Sequence, residues 1–216
     1  MHSLYLSYDG LTDPLGQSQV LPYLKELSAK GATIHIVSFE KPERYEKYKT
    51  VIQKIIAENN LNWYPQLYTK RPPVLSTLFD IWKMRNATQQ IIKKNPIKIV
   101  HCRSYISALI GLWAKKKWNT KFLFDMRGFW ADERVEGKIW NINKQPYSTI
   151  YKFFKRKEKQ FNLESDAVVS LTHAGKKVLL QWFPSITDDK ITVIPCCADT
   201  DFFDKKNVVA QNREAI

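Results

Sequence analysis

Three short segments of this chain combine residue types that handle protons, phosphates or sugars. The first is Val100-His-Cys-Arg-Ser104. In an extended chain, alternation sets His101 and Arg103 on one side and Cys102 on the other. A histidine there can take or give a proton near neutral pH, and an arginine can grip phosphate with its planar fork. His101 reads equally well as a hydrogen-bonded core histidine. Arg103 is harder to place in a core, since arginine is rarely buried unpaired. The second segment, Phe124-Asp-Met-Arg-Gly-Phe-Trp-Ala-Asp-Glu-Arg134, opens a stretch without clear periodicity that runs to about Gln145. Loops longer than about 12–15 residues are uncommon in compact domains and are usually functional or mobile. Its composition suits a sugar: the face of Trp130 can stack on a pyranose ring while Asp125, Arg127 and Glu133 hydrogen-bond hydroxyls. A structural Asp–Arg ion pair is the plainer alternative. The third segment, Tyr8-Asp-Gly-Leu-Thr-Asp-Pro-Leu-Gly-Gln-Ser-Gln19, carries glycines at 10 and 16 ahead of a helical pattern. A glycine loop running into a helix N-terminus offers free N–H groups and a favourable dipole to an anion. Gly10, Gly16 and Gln17 are therefore candidate phosphate contacts, with Asp13 a candidate sugar contact. A turn that merely needs Gly10 after Asp9 is the alternative.

Other patterns are weaker. No two glycines sit two apart, so the dinucleotide fingerprint GxGxxG fails, and Gly175-Lys176 lacks the upstream glycine of a P-loop. A zinc site from His101, Cys102, Cys196 and Cys197 matches no CxxC spacing, and neighbours on a strand point to opposite faces. The expectation is no metal. The segment from Pro146 to Asn162 sets Lys152, Lys155, Arg156 and Lys159 at i, i+3, i+4 and i+7, opposite an apolar side of Tyr147, Ile150, Tyr151, Phe154 and Phe161. Such a helix can lie on anionic lipid, or its apolar side can be core and its lysines simply solvated.

Positioning these residues requires regular elements. Strands are expected at Ser3–Tyr8, Thr33–Phe39, Leu61–Tyr68, Ile97–Arg103, Lys121–Met126, Asp166–Leu171 and Lys190–Ile194. Helices are expected at Ser18–Lys30, Pro42–Glu58, Val74–Lys94, Ser104–Lys117, Pro146–Asn162 and Thr172–Trp182. In the first helix Ser18 reads as the N-cap, Val20, Leu24 and Leu27 share a face, Pro22 falls in the first turn and Gly31 supplies the stop. Nearly all-apolar strands such as Ala167-Val-Val169 indicate burial on both faces, hence a parallel sheet. Alternating βαβ units give an α/β fold, an open doubly wound parallel sheet of Rossmann-like type. Ligands of such sheets bind beyond the carboxyl ends of the strands, at the switch point, so chemistry is sought just after each strand, where all three segments fall.

Composition sets the outer limits. The 216 residues are 44% hydrophobic and 25% charged, an ordinary globular balance that excludes disordered and collagen-like chains. Thirty-four Lys and Arg against 21 Asp and Glu give a net +13, which favours an anionic partner such as nucleic acid, anionic lipid or a phosphorylated small molecule. Three cysteines are too few for a disulfide scaffold and fit a reducing cytosol. Met1–Ser7 has no signal-peptide pattern, and no run approaches the roughly 20 apolar residues of a membrane span. A cytoplasmic protein, free or peripheral at the inner membrane face, is the expectation.

Taken in order, the Gly10–Gln19 loop with its helix, the His101-Cys-Arg103 strand end, Asp125-Met-Arg-Gly128 and Val193-Ile-Pro-Cys-Cys-Ala-Asp-Thr-Asp-Phe-Phe203 resemble the N-terminal domain of a family 4 glycosyltransferase, the retaining GT-B type. The resemblance covers about residues 3 to 203. It implies a Rossmann-like domain over 1–203, with 204–216 starting an interdomain connection or a tail, and a C-terminal domain not contained in these residues. It further implies a nucleotide-sugar co-substrate, no cofactor, a glycan or lipid-linked acceptor held by this half, and a glycine loop near the donor diphosphate with Gly16 as its counterpart. Family members often carry His-x-His or a single His at the fourth strand end. Here the pattern is His101-x-Arg103, so the second position's contact with the donor passes to Arg103. This half alone is expected to be inactive. Two other readings remain open on the residues: a basic nucleic-acid-binding domain, for which no reader motif stands out, and a non-catalytic sugar- or nucleotide-binding module.

Overall fold

The computed structural model describes residues 1–196. The expected boundary at 203, Cys197 and the tail lie outside the described residues. Seven strands form one fully parallel sheet: β1 (His2–Ser7), β2 (Thr33–Glu40), β3 (Asn62–Leu67), β4 (Ile99–Arg103), β5 (Lys121–Asp125), β6 (Ala167–Ser170) and β7 (Ile191–Val193), in the order β3-β2-β1-β4-β5-β6-β7. The order reverses between β1 and β4, and that crevice is the switch point of the doubly wound fold. Helices α1 (Leu21–Ala29), α2 (Pro42–Glu58), α3 (Leu75–Lys94), α4 (Ser104–Trp118), α5 (Trp130–Glu136), α6 (Tyr147–Glu164) and α7 (His173–Trp182) make the crossovers.

Strand alternation decides what each face sees. Leu4, Leu6, Val100, Cys102, Phe122 and Phe124 turn to one face and merge with Met84 of α3, Ala108 of α4 and Phe161 of α6 into the larger core. Tyr5, Ile34 and Ile36 turn to the other and pack with Leu21 and Leu24 of α1 and Ile52 and Ile56 of α2. Tyr5 pairs in register with His101, and Arg103 with Ser7 and Asp125. Polar residues of three strands thus line up on the α1 side, while Cys102 meets Gly111 of α4 on the opposite face.

Every expected strand and helix is present, and apart from the first helix the boundaries agree within two residues. Helical structure there begins at Pro14, ahead of Ser18, and passes through a wide π-turn at Gly16–Val20 before α1. Ser18 is not a cap: its hydroxyl donates back to the Pro14 carbonyl at 2.8 Å. Pro14 starts the helix because its fixed φ suits the first turn, and the wide turn falls just before Pro22, whose missing N–H interrupts the ordinary ladder. Gly31 does close α1, with φ +87°. The stretch after β5 was expected to lack regular structure, yet Trp130–Glu136 is helical, with Asp132 and Glu133 in the first turn and Arg134 in the last, as the dipole favours.

Candidate functional site

At the carboxyl ends of β1, β4 and β5, beneath α1, lies a cavity of about 490 Å³. Its floor is Tyr5, His101, Arg103 and Asp125, and its rim includes Gln19, Tyr23, Arg127 and Cys196. His101 is wedged between two phenols, with ring centroids 4.7 Å from Tyr5 and 5.9 Å from Tyr23, both edge-on. Its Nε2 stands 3.6 Å from Asp125 Oδ2, too far for a hydrogen bond. The Arg103 guanidinium is 3.6 Å from Asp9 and 3.4 Å from Gln19 Oε1. Arg127, held at φ +62°, donates to the same Gln19 oxygen at 2.9 Å and approaches Cys196 Sγ at 3.1 Å. Gln19 therefore ties the two arginines together across the crevice.

The electrostatics follow from burial and neighbours. Burial works against the Arg103 charge, but Tyr5, Asp125 and Asp9 outweigh it and hold its pKa above the ordinary value. Tyr23 is pushed up by burial and then by the Asp125 carboxylate, and Tyr5 is raised chiefly by burial, so both stay neutral hydroxyls. Three polar atoms in this pocket are buried without a hydrogen-bond partner: His101 Nε2, Arg103 Nε and Asp125 Oδ1. Leaving a buried polar atom unpaired costs about 1–3 kcal/mol. The three residues concerned, at adjacent strand ends, line the open cavity and keep hydrogen-bonding capacity that the fold does not use.

The structure thus gathers His101, Arg103, Asp125 and Arg127, and it separates the other candidates from them. Gly10, Gly16, Gln17 and Asp13 are absent from the cavity wall, and the reason is Glu40. This carboxylate, fully buried at the end of β2, accepts from the Leu11 and Thr12 N–H groups at 2.9 and 3.0 Å and from the Ser38 hydroxyl at 2.6 Å. Two N–H groups of this loop, those following the candidate Gly10, are therefore turned inward to Glu40. Gly10 is glycine because a Cβ would meet the Phe39 carbonyl at 2.8 Å, and a Cβ on Gly16 would strike the Gly10–Leu11 backbone. The Gln17 amide donates to the Thr12 carbonyl at 2.9 Å, and Asp13 pairs with Lys41 at 3.0 Å and Arg44 at 3.2 Å.

Trp130 lies on the far side of the crevice, stacked 5.7 Å from Tyr105, and Glu133 lies over Gly128 rather than in the cavity. The basic stripe loses one member. Lys152, Arg156 and Lys159 are exposed, but Lys155 turns in, with Nζ 2.7 Å from Asp132 and 2.5 Å from Glu158. Glu158 is buried and accepts from the Tyr105 hydroxyl, so the fold needs a cation beside it. His101 and Cys102 point to opposite faces, and among the described residues no three His, Cys, Asp or Glu could hold a metal ion. Sequence reasoning missed Tyr5, Gln19 and Tyr23. Tyr5 carried a signal, a tyrosine on the same strand parity as Ser7 at the central strand's end, but Gln19 and Tyr23 join the site only through the entry of α1.

Comparison with known proteins comes down on one side. The family model described as Glycosyltransferase Family 4 matches residues 17–202. No curated protein matches the sequence significantly. Among solved structures, a sucrose-phosphate synthase from Thermosynechococcus elongatus superposes with a TM-score of 0.67 at 12% identity, over 94% of this chain and 49% of its own. Anabaena HepE, solved in complex with UDP and glucose, gives 0.55 at 8% identity, over 94% and 46%. A glycosyltransferase from Rickettsia africae gives 0.52 at 20% identity, over 97% and 46%. The chain therefore spans about half the length of the structures it matches, and the likeness establishes the Rossmann-like fold of a GT-B half.

Proposed function

Because this chain belongs to glycosyltransferase family 4, we propose that it is the acceptor-side half of a GT-B enzyme that moves a sugar from a nucleotide-sugar donor to a glycan or lipid-linked acceptor, with retention at the anomeric carbon. The observation that carries this reading is the trio His101, Arg103 and Asp125, which lines the cavity at the switch point with His101 Nε2, Arg103 Nε and Asp125 Oδ1 making no hydrogen bond. The chemistry assigns their roles. Loss of a nucleoside diphosphate from the sugar develops negative charge, and positive groups preorganised where that charge appears lower the barrier. Arg103, kept charged by its neighbours, fills that role, so the reading includes no metal and no organic cofactor. Asp125 and His101 take the proton of the acceptor hydroxyl as its oxygen bonds to the anomeric carbon and the bond to the diphosphate breaks, and they pass that proton to the departing diphosphate.

The rest of the enzyme, a C-terminal half facing this cavity, supplies the nucleoside pocket. This half alone leaves the diphosphate hydrated, so it has no transferase activity and binds donors no more tightly than the millimolar range, roughly −4 kcal/mol. No described helix is long and apolar enough to cross a membrane. Cytoplasmic residence with peripheral contact suits the exposed Lys152, Arg156 and Lys159, which can meet anionic headgroups. Nucleic acid is not the expected partner.

The test is transfer of labelled sugar from uridine, guanosine and adenosine diphosphate sugars by the full-length gene product, to soluble glycans and to lipid extracts. Transfer from one donor class that falls on Arg103→Ala is expected. No transfer from any donor overturns the reading. Micromolar donor binding by these 216 residues alone would move the donor site into this half.

A further inference from the structure

A second hollow opens on the opposite side of the crevice, and it is larger and of another character. It encloses about 1330 Å³ between α3, α4 and the α5–α6 pair. Ile106, Leu109 and Trp113 of α4 make its floor, with Ile81 of α3 on one wall and Trp140 and Phe154 on the other. Small-ligand pockets run to about 1,000 Å³, and a sugar would strand its hydroxyls against such walls. The volume and lining fit a long hydrocarbon chain.

Two further observations say what kind. The lips of the groove are apolar where a globular surface is normally polar. On α3, Leu75, Leu78, Phe79 and Trp82 recur at i, i+3, i+4 and i+7, and each is half or more exposed. Phe79 and Trp82 stack at 5.6 Å on the outside of the protein. Across the groove, Ile139 and Phe153 are exposed as well. Contiguous exposed apolar surface of this kind marks an interaction site, and a helix carrying it beside cations can seat in a lipid monolayer. The charge around the groove is equally one-sided. Its lining includes Arg85, Arg103, Arg127, Arg134 and Lys157 against one carboxylate, Asp9. Arg85 and Arg134 lie over Trp113 and Trp130 at 4.6 and 5.0 Å, and among the described residues neither pairs with a carboxylate. Arg103 and Arg127 line both the groove and the polar cavity. They stand where a hydrocarbon chain would end and a polar head would begin.

We propose that the α3–α4–α6 groove holds the hydrocarbon tail of a phosphate-linked lipid acceptor, with its phosphate at Arg127, where the groove meets the polar cavity, and the α3 lip seated in the monolayer from which that lipid enters. This rests on the transferase reading for the word acceptor and on the groove alone for the lipid. The sugar-bearing head then projects from Arg127 into the cavity beside His101 and Asp125, while the tail never leaves an apolar environment. Anionic headgroups around the bound lipid meet Lys152 and Arg156, which neighbour Phe153 on α6.

The probe is dodecyl phosphate, below its micelle concentration, titrated into the 216-residue protein against inorganic phosphate, with tryptophan fluorescence as the readout. Binding at least tenfold tighter than inorganic phosphate is expected. The double variant Leu78→Asp/Trp82→Asp changes only exposed side chains and should lower capture by vesicles of brominated phosphatidylglycerol at least tenfold, as should the milder Leu78→Ser/Trp82→Ser. Reversal of Lys152, Arg156 and Lys159 to Glu should weaken vesicle capture and leave dodecyl phosphate binding within twofold. Dodecyl phosphate binding no tighter than inorganic phosphate overturns the proposal. So does vesicle capture indifferent to both lip variants, or a wild-type dimer that the lip variants dissociate without any lipid being bound. Transfer of sugar to a soluble glycan without dodecyl phosphate binding sinks the groove and leaves the transferase standing. Lip-dependent lipid binding with no transfer from any donor does the reverse.

Discussion

Glu40 and Asp125 are both buried carboxylates at the carboxyl end of the same sheet, on either side of the switch point, and they live in opposite circumstances. Glu40 is saturated by two backbone N–H groups and two hydroxyls, and the Gly10–Gly16 turn is wrapped around it. Asp125 has one oxygen with no hydrogen-bond partner, and so do the His101 and Arg103 nitrogens near it. Burial alone does not distinguish a functional carboxylate from a structural one. In this pair satisfaction does: Glu40 has spent its hydrogen bonds on the fold, while Asp125 has one oxygen left that, unlike those of Asp13 and Asp80, is not engaged by a cation.

That contrast is easiest to break at Glu40. Glu40→Ala leaves the Leu11 and Thr12 N–H groups buried and unpaired, so unfolding free energy should fall by about 3 kcal/mol, from roughly 1–3 kcal/mol per orphaned group. Urea denaturation measures it, and a loss under 1 kcal/mol would show that water replaces the carboxylate and that the turn is not built on it. Next in size is Arg103. On the proposed two-domain transferase reading, Arg103→Ala should lower turnover tenfold or more, about 1.4 kcal/mol of barrier. Arg103→Lys should restore part of it, because lysine lacks the planar fork. Full activity in Arg103→Ala would place this residue with Glu40 as structure.

Asp125→Asn should move stability by less than about 1 kcal/mol, in the stabilising direction if it moves at all, while transfer is lost, since a site that waits for a ligand is strained without it. Marked destabilisation would mean that Asp125 is a second Glu40. The smallest effect is expected at the opposite end of the sheet. Asp166 is partly buried, which raises its pKa, but Lys115, the Phe122 N–H and Lys121 outweigh that and hold it below the usual aspartate value. Its contribution is complete above the unfolded aspartate pKa, about 3.9, and is lost as pH falls through the lower folded value. Asp166→Asn should therefore be less stable than the parent at neutral pH and converge with it below about pH 4. A gap that persists in acid would show that packing, not charge, is involved.

The sheet was legible because apolar strands such as Ala167–Ser170 and helices opened by a proline such as Pro42–Glu58 carry their own signals. The candidate site was legible only where one strand's parity settles it, as for His101, Arg103 and Asp125. The phosphate role expected of Gly10, Gly16 and Gln17 rested on loop N–H groups facing outward. Nothing local to that loop reveals that Glu40, some thirty residues on, takes the neighbouring Leu11 and Thr12 N–H groups. Lys155 misled for the same reason: helical spacing sets it with Lys152 and Arg156, and only tertiary packing brings Glu158 and Asp132 to it. The apolar lip at Leu75, Leu78, Phe79 and Trp82 has an ordinary amphipathic spacing, and sequence cannot say which face of α3 meets the sheet.

The reversal in strand order also governs how the molecule comes into being. In β1, Ser3 lies beside Ile34 on one side and Ile99 on the other. The first contact closes a short stretch of chain and the second a stretch some three times as long. Ordering that stretch precedes any reward from the contacts it brings, so pairings distant in sequence are the slow ones. The seam between β1 and β4 is the most distant pairing in the sheet, and the polar cavity and the apolar groove both straddle it. Each half-sheet can assemble on its own nascent segment, but neither hollow exists until the seam closes. A ligand that spans both hollows would bind only chains that have finished folding, and would hold shut the joint that forms last.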